Sequence, residues 1–220
     1  MRMNLSYALG WCVARAVFRV GFRARFYGTE QVPRSGPVIL AANHASYLDP
    51  PLVGAGLRRM VHFLARNTLF DSPLLCAVLR SWEVVPVDRD GAGAAGLKAI
   101  LERLLAGGAI LLFPEGTRTH DGRLQRARAG IGLVIAKSTC PVVPVRVFGT
   151  YEAWGRHRRW PRPHRLVVKY GAPLDFAAER ALARTADKAR LKVLYQEIAD
   201  TLMARIAALP PCREVRTFPA

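Results

Sequence analysis

Apolar, β-branched runs recur at residues 38–41, 61–64, 84–87, 110–113, 142–147 and 166–168, and each is short and nearly unbroken. A strand that is apolar on successive positions is buried on both faces, as in a parallel sheet covered by helices. Between the runs lie stretches with helical periodicity at 74–79, 96–105 and 124–138, and residues 176–209 read as one or two further helices rich in Ala, Leu and charge. Strands alternating with helices predict an α/β fold: a single domain with a mostly parallel central sheet covered by helices on both faces.

The first 28 residues break this pattern. They are largely apolar, but Arg15, Arg19 and Arg23 interrupt them at four-residue spacing. No apolar run approaches the ~20 residues that span a bilayer, and the arginines argue against a secretory signal. As an amphipathic helix, the segment carries a basic stripe beside Leu5, Leu9, Val13, Val17 and Val20. Two arrangements suit it: flat at a lipid interface, or packed on the core with the arginines outward.

Charge sharpens the picture. The 220 residues carry a formal net charge of +17, which selects anionic partners such as nucleic acid, acidic headgroups, acidic carrier proteins or phosphorylated substrates. The run 156–165, RHRRWPRPHR, reads either as a solvated loop or as a headgroup-contacting patch. Cys12, Cys76, Cys140 and Cys212 form no short framework and read as reduced thiols. The five histidines lack HExxH or His/Cys spacing, so no metal site is predicted.

Two loops hold candidate chemistry. In ANHASYLDP, residues 42–50, His44 and Asp49 stand five positions apart just after an apolar run. On one helix they would diverge by about 140°. Pro50 and Pro51 favour instead a strand, a loop and a helix beginning near Pro51, and the loop can bring carboxylate onto imidazole. Asp49 also suits a helix cap, with Ser46 three residues before it, and Ser46 reads as a cap rather than a nucleophile. In FPEGTR, residues 113–118, a turn follows a buried run and Arg118 offers a planar fork for phosphate. Ligands of open α/β sheets gather where strands end, and both loops lie there. The stretch GAGAAG, residues 91–96, fits a dinucleotide fingerprint, but Asp88 and Asp90 stand where a pyrophosphate would sit.

His44-x-x-x-x-Asp49, followed by FPEGTR and then VVPVRV, resembles the glycerolipid acyltransferase family, the 1-acyl-glycerol-3-phosphate acyltransferases and their relatives. The resemblance covers roughly residues 15–175. It implies that His44 is the catalytic base and Asp49 its orienting partner. It implies that Glu115, Gly116, Thr117 and Arg118, with Arg66, bind the acceptor's glycerol phosphate, and that Val143, Pro144 and Val145 shape the acyl side. Thr68, Trp82 and Glu83 depart from the family's usual residues.

On this resemblance residues 1–28 form a membrane-associating helix, 29–175 the catalytic core and 176–220 a helical extension. The implied reaction moves a fatty acyl group from acyl-CoA or acyl-carrier protein to a lysophospholipid hydroxyl, most simply that of 1-acyl-glycerol-3-phosphate. Lyso-ornithine lipid is the alternative acceptor. No cofactor is implied beyond the thioester co-substrate. The expected partners are an anionic membrane surface, lysophospholipid and acyl donor, at the cytoplasmic face of the membrane. A non-catalytic basic module that binds nucleic acid or membrane would explain the charge, but it leaves His44, Asp49 and FPEGTR without purpose.

Overall fold

In the computed structural model, residues 4–87 and 93–211 are described. The six apolar runs become six strands: β2 (Val38–Ala42), β3 (Val61–Arg66), β4 (Val85–Val87), β5 (Ala109–Leu112), β6 (Val142–Phe148) and β7 (Val167–Tyr170). A short seventh strand precedes them, β1 (Arg25–Tyr27). All seven join one sheet in the order β1-β7-β6-β2-β5-β3-β4. Only β6 and β7 pair antiparallel, so β1 and β7 run opposite to the other five. This is the mostly parallel α/β sheet that the pattern predicts.

One face of the sheet packs against α1 (Leu5–Gly21) and α2 (Asp49–Gly56), through Leu40, Leu111, Val143 and Val145 among others. The other face packs against α4 (Gly93–Leu105), α5 (Ala129–Lys137) and α8 (Lys188–Ala207); α3 (Pro73–Ser81) lies by β4, α6 (Thr150–Trp154) follows β6, and α7 (Ala177–Thr185) precedes α8. The tail is no appendage. Leu194, Ile198, Leu202 and Ile206 of α8 are buried in the second core layer, and Gly132 of α5 lets α8's backbone approach closely.

Three details differ from the sequence expectation. The helix expected over 124–138 begins only at Ala129, because 124–128 is held out of helix: Gln125 N–H donates to Glu115 and Arg128 N–H to the Pro114 carbonyl. The helix expected near Pro51 starts at Asp49, with both prolines in its first turn, where a missing N–H costs nothing.

The third difference concerns α1, whose arginines do not form a single outward stripe. Arg15 turns inward, donating to the Ala55 carbonyl and lying over the rings of Trp11 and Phe26. Tyr7 and Phe18 are buried with it. The outward face is apolar, with Leu5 88% and Val20 81% exposed and Leu9, Val13 and Val17 between them. The departure at Trp82 belongs to this packing. Trp82 stacks edge-on to Tyr7 and fills the space beside Gly10, while Glu83 pairs with Arg103.

Candidate active site

Strand β2 ends at Ala42, and the chain is caught at once. The Asn43 side chain bonds both backbone groups of Val147, extending the β2–β6 ladder by one rung. His44 is then fixed from the neighbouring β5 side: Glu115 Oε1 accepts its N–H at 3.0 Å, and Thr119 N–H donates to its carbonyl at 2.8 Å. The imidazole stacks on Phe113, with ring centroids 3.9 Å apart, and remains 17% exposed.

Asp49 is wholly buried. Its Oδ2 accepts from His44 Nδ1 at 2.8 Å and from the backbone N–H groups of Ala45 and Ser46. One oxygen thus ties the imidazole to the loop backbone just before α2. The bend between residues 44 and 49 is closed by Ser46, whose Oγ accepts from Leu48 N–H and donates to the Trp154 carbonyl. A carboxylate can only accept, so Nδ1 carries the proton and Nε2 presents its lone pair away from Asp49.

Glu115 lies deeper than its expected ligand role suggests. It is 2% exposed, and its second oxygen accepts Gln125 N–H. Burial pushes its carboxyl up to about 7, against the opposing pull of the two N–H bonds. Gly116 takes φ 71°, and a Cβ there would meet Arg128, so only glycine suits this turn. Thr117 Oγ1 accepts from Arg156, and the Arg118 guanidinium lies 3.5 Å over the Tyr47 ring.

His44, Asp49, Glu115, Gly116, Thr117 and Arg118 therefore meet at the ends of two adjacent strands. Arg66 ends β3, the next strand over; its side chain lies outside the described residues, as do Asp88, Asp90 and Gly91 of the glycine-rich stretch and its approach. Val143 and Val145 point into the core on the α1/α2 side, and Pro144 faces Gly171. Of this block, Val145 comes nearest the base, paired with Ala42.

Tyr47, which seats Arg118, carried no signal in the sequence, and Arg156, which reaches Thr117, comes from the basic run 156–165. Among the described residues, no helix is long and apolar enough to cross a membrane.

A sequence model of the acyltransferase family matches residues 23–148. The 1-acyl-sn-glycerol-3-phosphate acyltransferase of Bacillus subtilis is 28% identical over 80% of this chain and 86% of its own. A chloroplastic enzyme of the same name from Brassica napus is 27% identical over 77% of this chain, which spans about half (52%) of that relative's length. The lyso-ornithine lipid O-acyltransferase of Brucella abortus is 29% identical over 80% of this chain and 77% of its own. The fold matches the crystal structure of the 1-acyl-sn-glycerophosphate acyltransferase from Thermotoga maritima, with a TM-score of 0.68 at 22% identity, covering 92% of this chain and 81% of that one.

Proposed function

Because this chain belongs to the acyltransferase family, we propose that it moves a fatty acyl group from a thioester donor to the free hydroxyl of a lysophospholipid. The observation that carries the reading is the 2.8 Å contact between His44 Nδ1 and Asp49 Oδ2, which leaves Nε2 free to accept a proton. The acceptor hydroxyl is a poor nucleophile until that proton is taken. Neutral His44 removes it as the oxygen attacks the thioester carbonyl, and Asp49 stabilises the imidazolium that forms. Collapse of the tetrahedral intermediate expels thiolate, forming the ester and regenerating the base after proton release. The substrate's own hydroxyl is the nucleophile, so no acyl-enzyme is required.

Arg118, with Arg66, holds the acceptor's phosphate so that its hydroxyl meets His44, a positioning contribution. The acceptor is 1-acyl-glycerol-3-phosphate on this reading, giving phosphatidic acid. The likeness to the Brucella lyso-ornithine lipid O-acyltransferase makes lyso-ornithine lipid the second candidate. The apolar outer face of α1 supports a peripheral or monotopic seat at the membrane, where such acceptors reside.

The test is release of free thiol from acyl-CoA or acyl-carrier protein by the purified protein, with a panel of lysolipids and mass analysis of products. Thiol release that requires a lysolipid, with acylated product, is expected. Salt-sensitive DNA binding without thiol release would reverse the reading.

A further inference from the structure

Beyond the base, a strongly cationic cleft of about 550 Å³ lies where α1 hands over to β1. Arg19, Arg23, Arg25 and Arg165 line it, with Ala24, Phe26 and Tyr27, and none of these described lining residues is acidic. The backbone beneath is pinned. Ala24 N–H donates to the Phe18 carbonyl, Arg25 N–H to that of Leu166, and Leu166 N–H to that of Phe22. Arg23 sits at φ 48°, a left-handed conformation uncommon for a side-chain-bearing residue, at the turn from helix to strand.

The sheet's topology places this cleft relative to His44. Strand β1 runs opposite to β2, so its first residue lies at the edge where β2 ends. Arg25 pairs with Val167, Val167 with Phe148, and β6 lies against β2. Three strand spacings of roughly 4.8 Å put the cleft about 14 Å to one side of the base. Arg118 follows β5, on the base's other side. Cationic groups therefore flank His44 along one edge.

Acyl transfer between anionic substrates needs two such places. The acceptor's phosphate is only a few covalent bonds from its reacting hydroxyl, so it cannot reach a cleft at that distance while the hydroxyl lies at His44. The donor can. In coenzyme A the thioester and the phosphates stand at opposite ends of a long pantetheine arm. A cleft of this volume falls in the range of small-molecule sites. Resting on the acyl-transfer reading above, we infer that the arginine cleft binds the nucleotide phosphates of acyl-coenzyme A, with the arm running along the sheet edge to the base.

The experiment is calorimetric titration of the full chain with coenzyme A, which reads binding without turnover. Arg19 and Arg23 are exposed, so the Arg19→Gln/Arg23→Gln double variant keeps the fold, checked by its melting temperature. Its affinity for coenzyme A is expected to fall about tenfold or more. Arg19→Lys/Arg23→Lys recovers most of that loss, and added salt weakens the parent's binding. A dissociation constant within twofold of the parent's overturns the inference, as does a parent that does not bind coenzyme A. So does a loss confined to anionic phospholipid vesicles or to acyl-carrier protein, measured in parallel. A parent that binds coenzyme A through these arginines but never releases thiol leaves the cleft standing and removes the proposed reaction.

Discussion

Glu115 Oε1 accepts the backbone N–H of His44 at 3.0 Å, so one buried carboxyl fixes the main chain of the base while another, Asp49, holds its ring. Glu115's pKa is raised to about 7, chiefly by desolvation. The folded chain therefore keeps a proton, between about pH 4.5 and 7, that the unfolded chain has lost. Its contribution to stability is fully present below about pH 4.5 and disappears as pH rises through 7, an effect on the order of 1–3 kcal/mol. Glu115→Gln still accepts the His44 N–H but cannot titrate. Denaturant midpoints at pH 5 and pH 8 should lie closer together in Glu115→Gln than in the parent. An equal separation in both would remove Glu115 as the source.

His44 and Asp49 should separate when replaced. Either change to alanine is expected to lower turnover by about 10²–10⁴-fold, the range for a positioned base. Only Asp49→Ala should also cost stability, because it strips one acceptor from three N–H groups, two of them on a buried backbone. That loss is about 2–4 kcal/mol, a fall in melting temperature of roughly 5–15 °C. A stable Asp49→Ala would mean that those N–H groups find other acceptors.

Legibility followed burial. Runs such as 38–41 and 110–113 declared themselves as strands because both faces are covered, and their ends located the two site loops. Strand β1 was hidden: three residues at the sheet edge with an exposed arginine at its start make no period. Residues 124–128 looked helical because side-chain spacing cannot show that their N–H groups are taken by Glu115 and Pro114. The pairing of His44 with Asp49 was inferable from the prolines that bend the chain. Seating Arg118 on Tyr47 was not, since it depends on two loops meeting across strands. Arg15 leaves the outward stripe because a guanidinium can turn inward to a carbonyl, whereas Arg19 stays exposed.

The outward face of α1 makes a separate prediction. Leu9 and Val13 are exposed, so Leu9→Glu/Val13→Glu should leave the melting temperature within about 1 °C. Each apolar side chain moved from water into lipid contributes about 1.5–3 kcal/mol, so the double variant should lose more than tenfold in vesicle binding. Co-sedimentation with vesicles of mixed neutral and anionic lipid reads this directly. Undiminished sedimentation would show that α1 is not the contact.

Arg118 tests the identity of the acceptor. Stacked on Tyr47, its guanidinium is held flat at the loop after β5, beside the loop that carries His44. A charge-assisted pair with a phosphate is stronger than a neutral hydrogen bond, so Arg118→Ala should raise KM for 1-acyl-glycerol-3-phosphate by about 10–100-fold. Lyso-ornithine lipid has no phosphate, so its KM should change little in the same variant. Tyr47→Ala frees the guanidinium without removing it and should raise the phosphorylated acceptor's KM by less. If Arg118→Ala leaves that KM unchanged, the phosphate lies elsewhere. If it raises KM equally for both acceptors, the arginine shapes the loop rather than binding the headgroup.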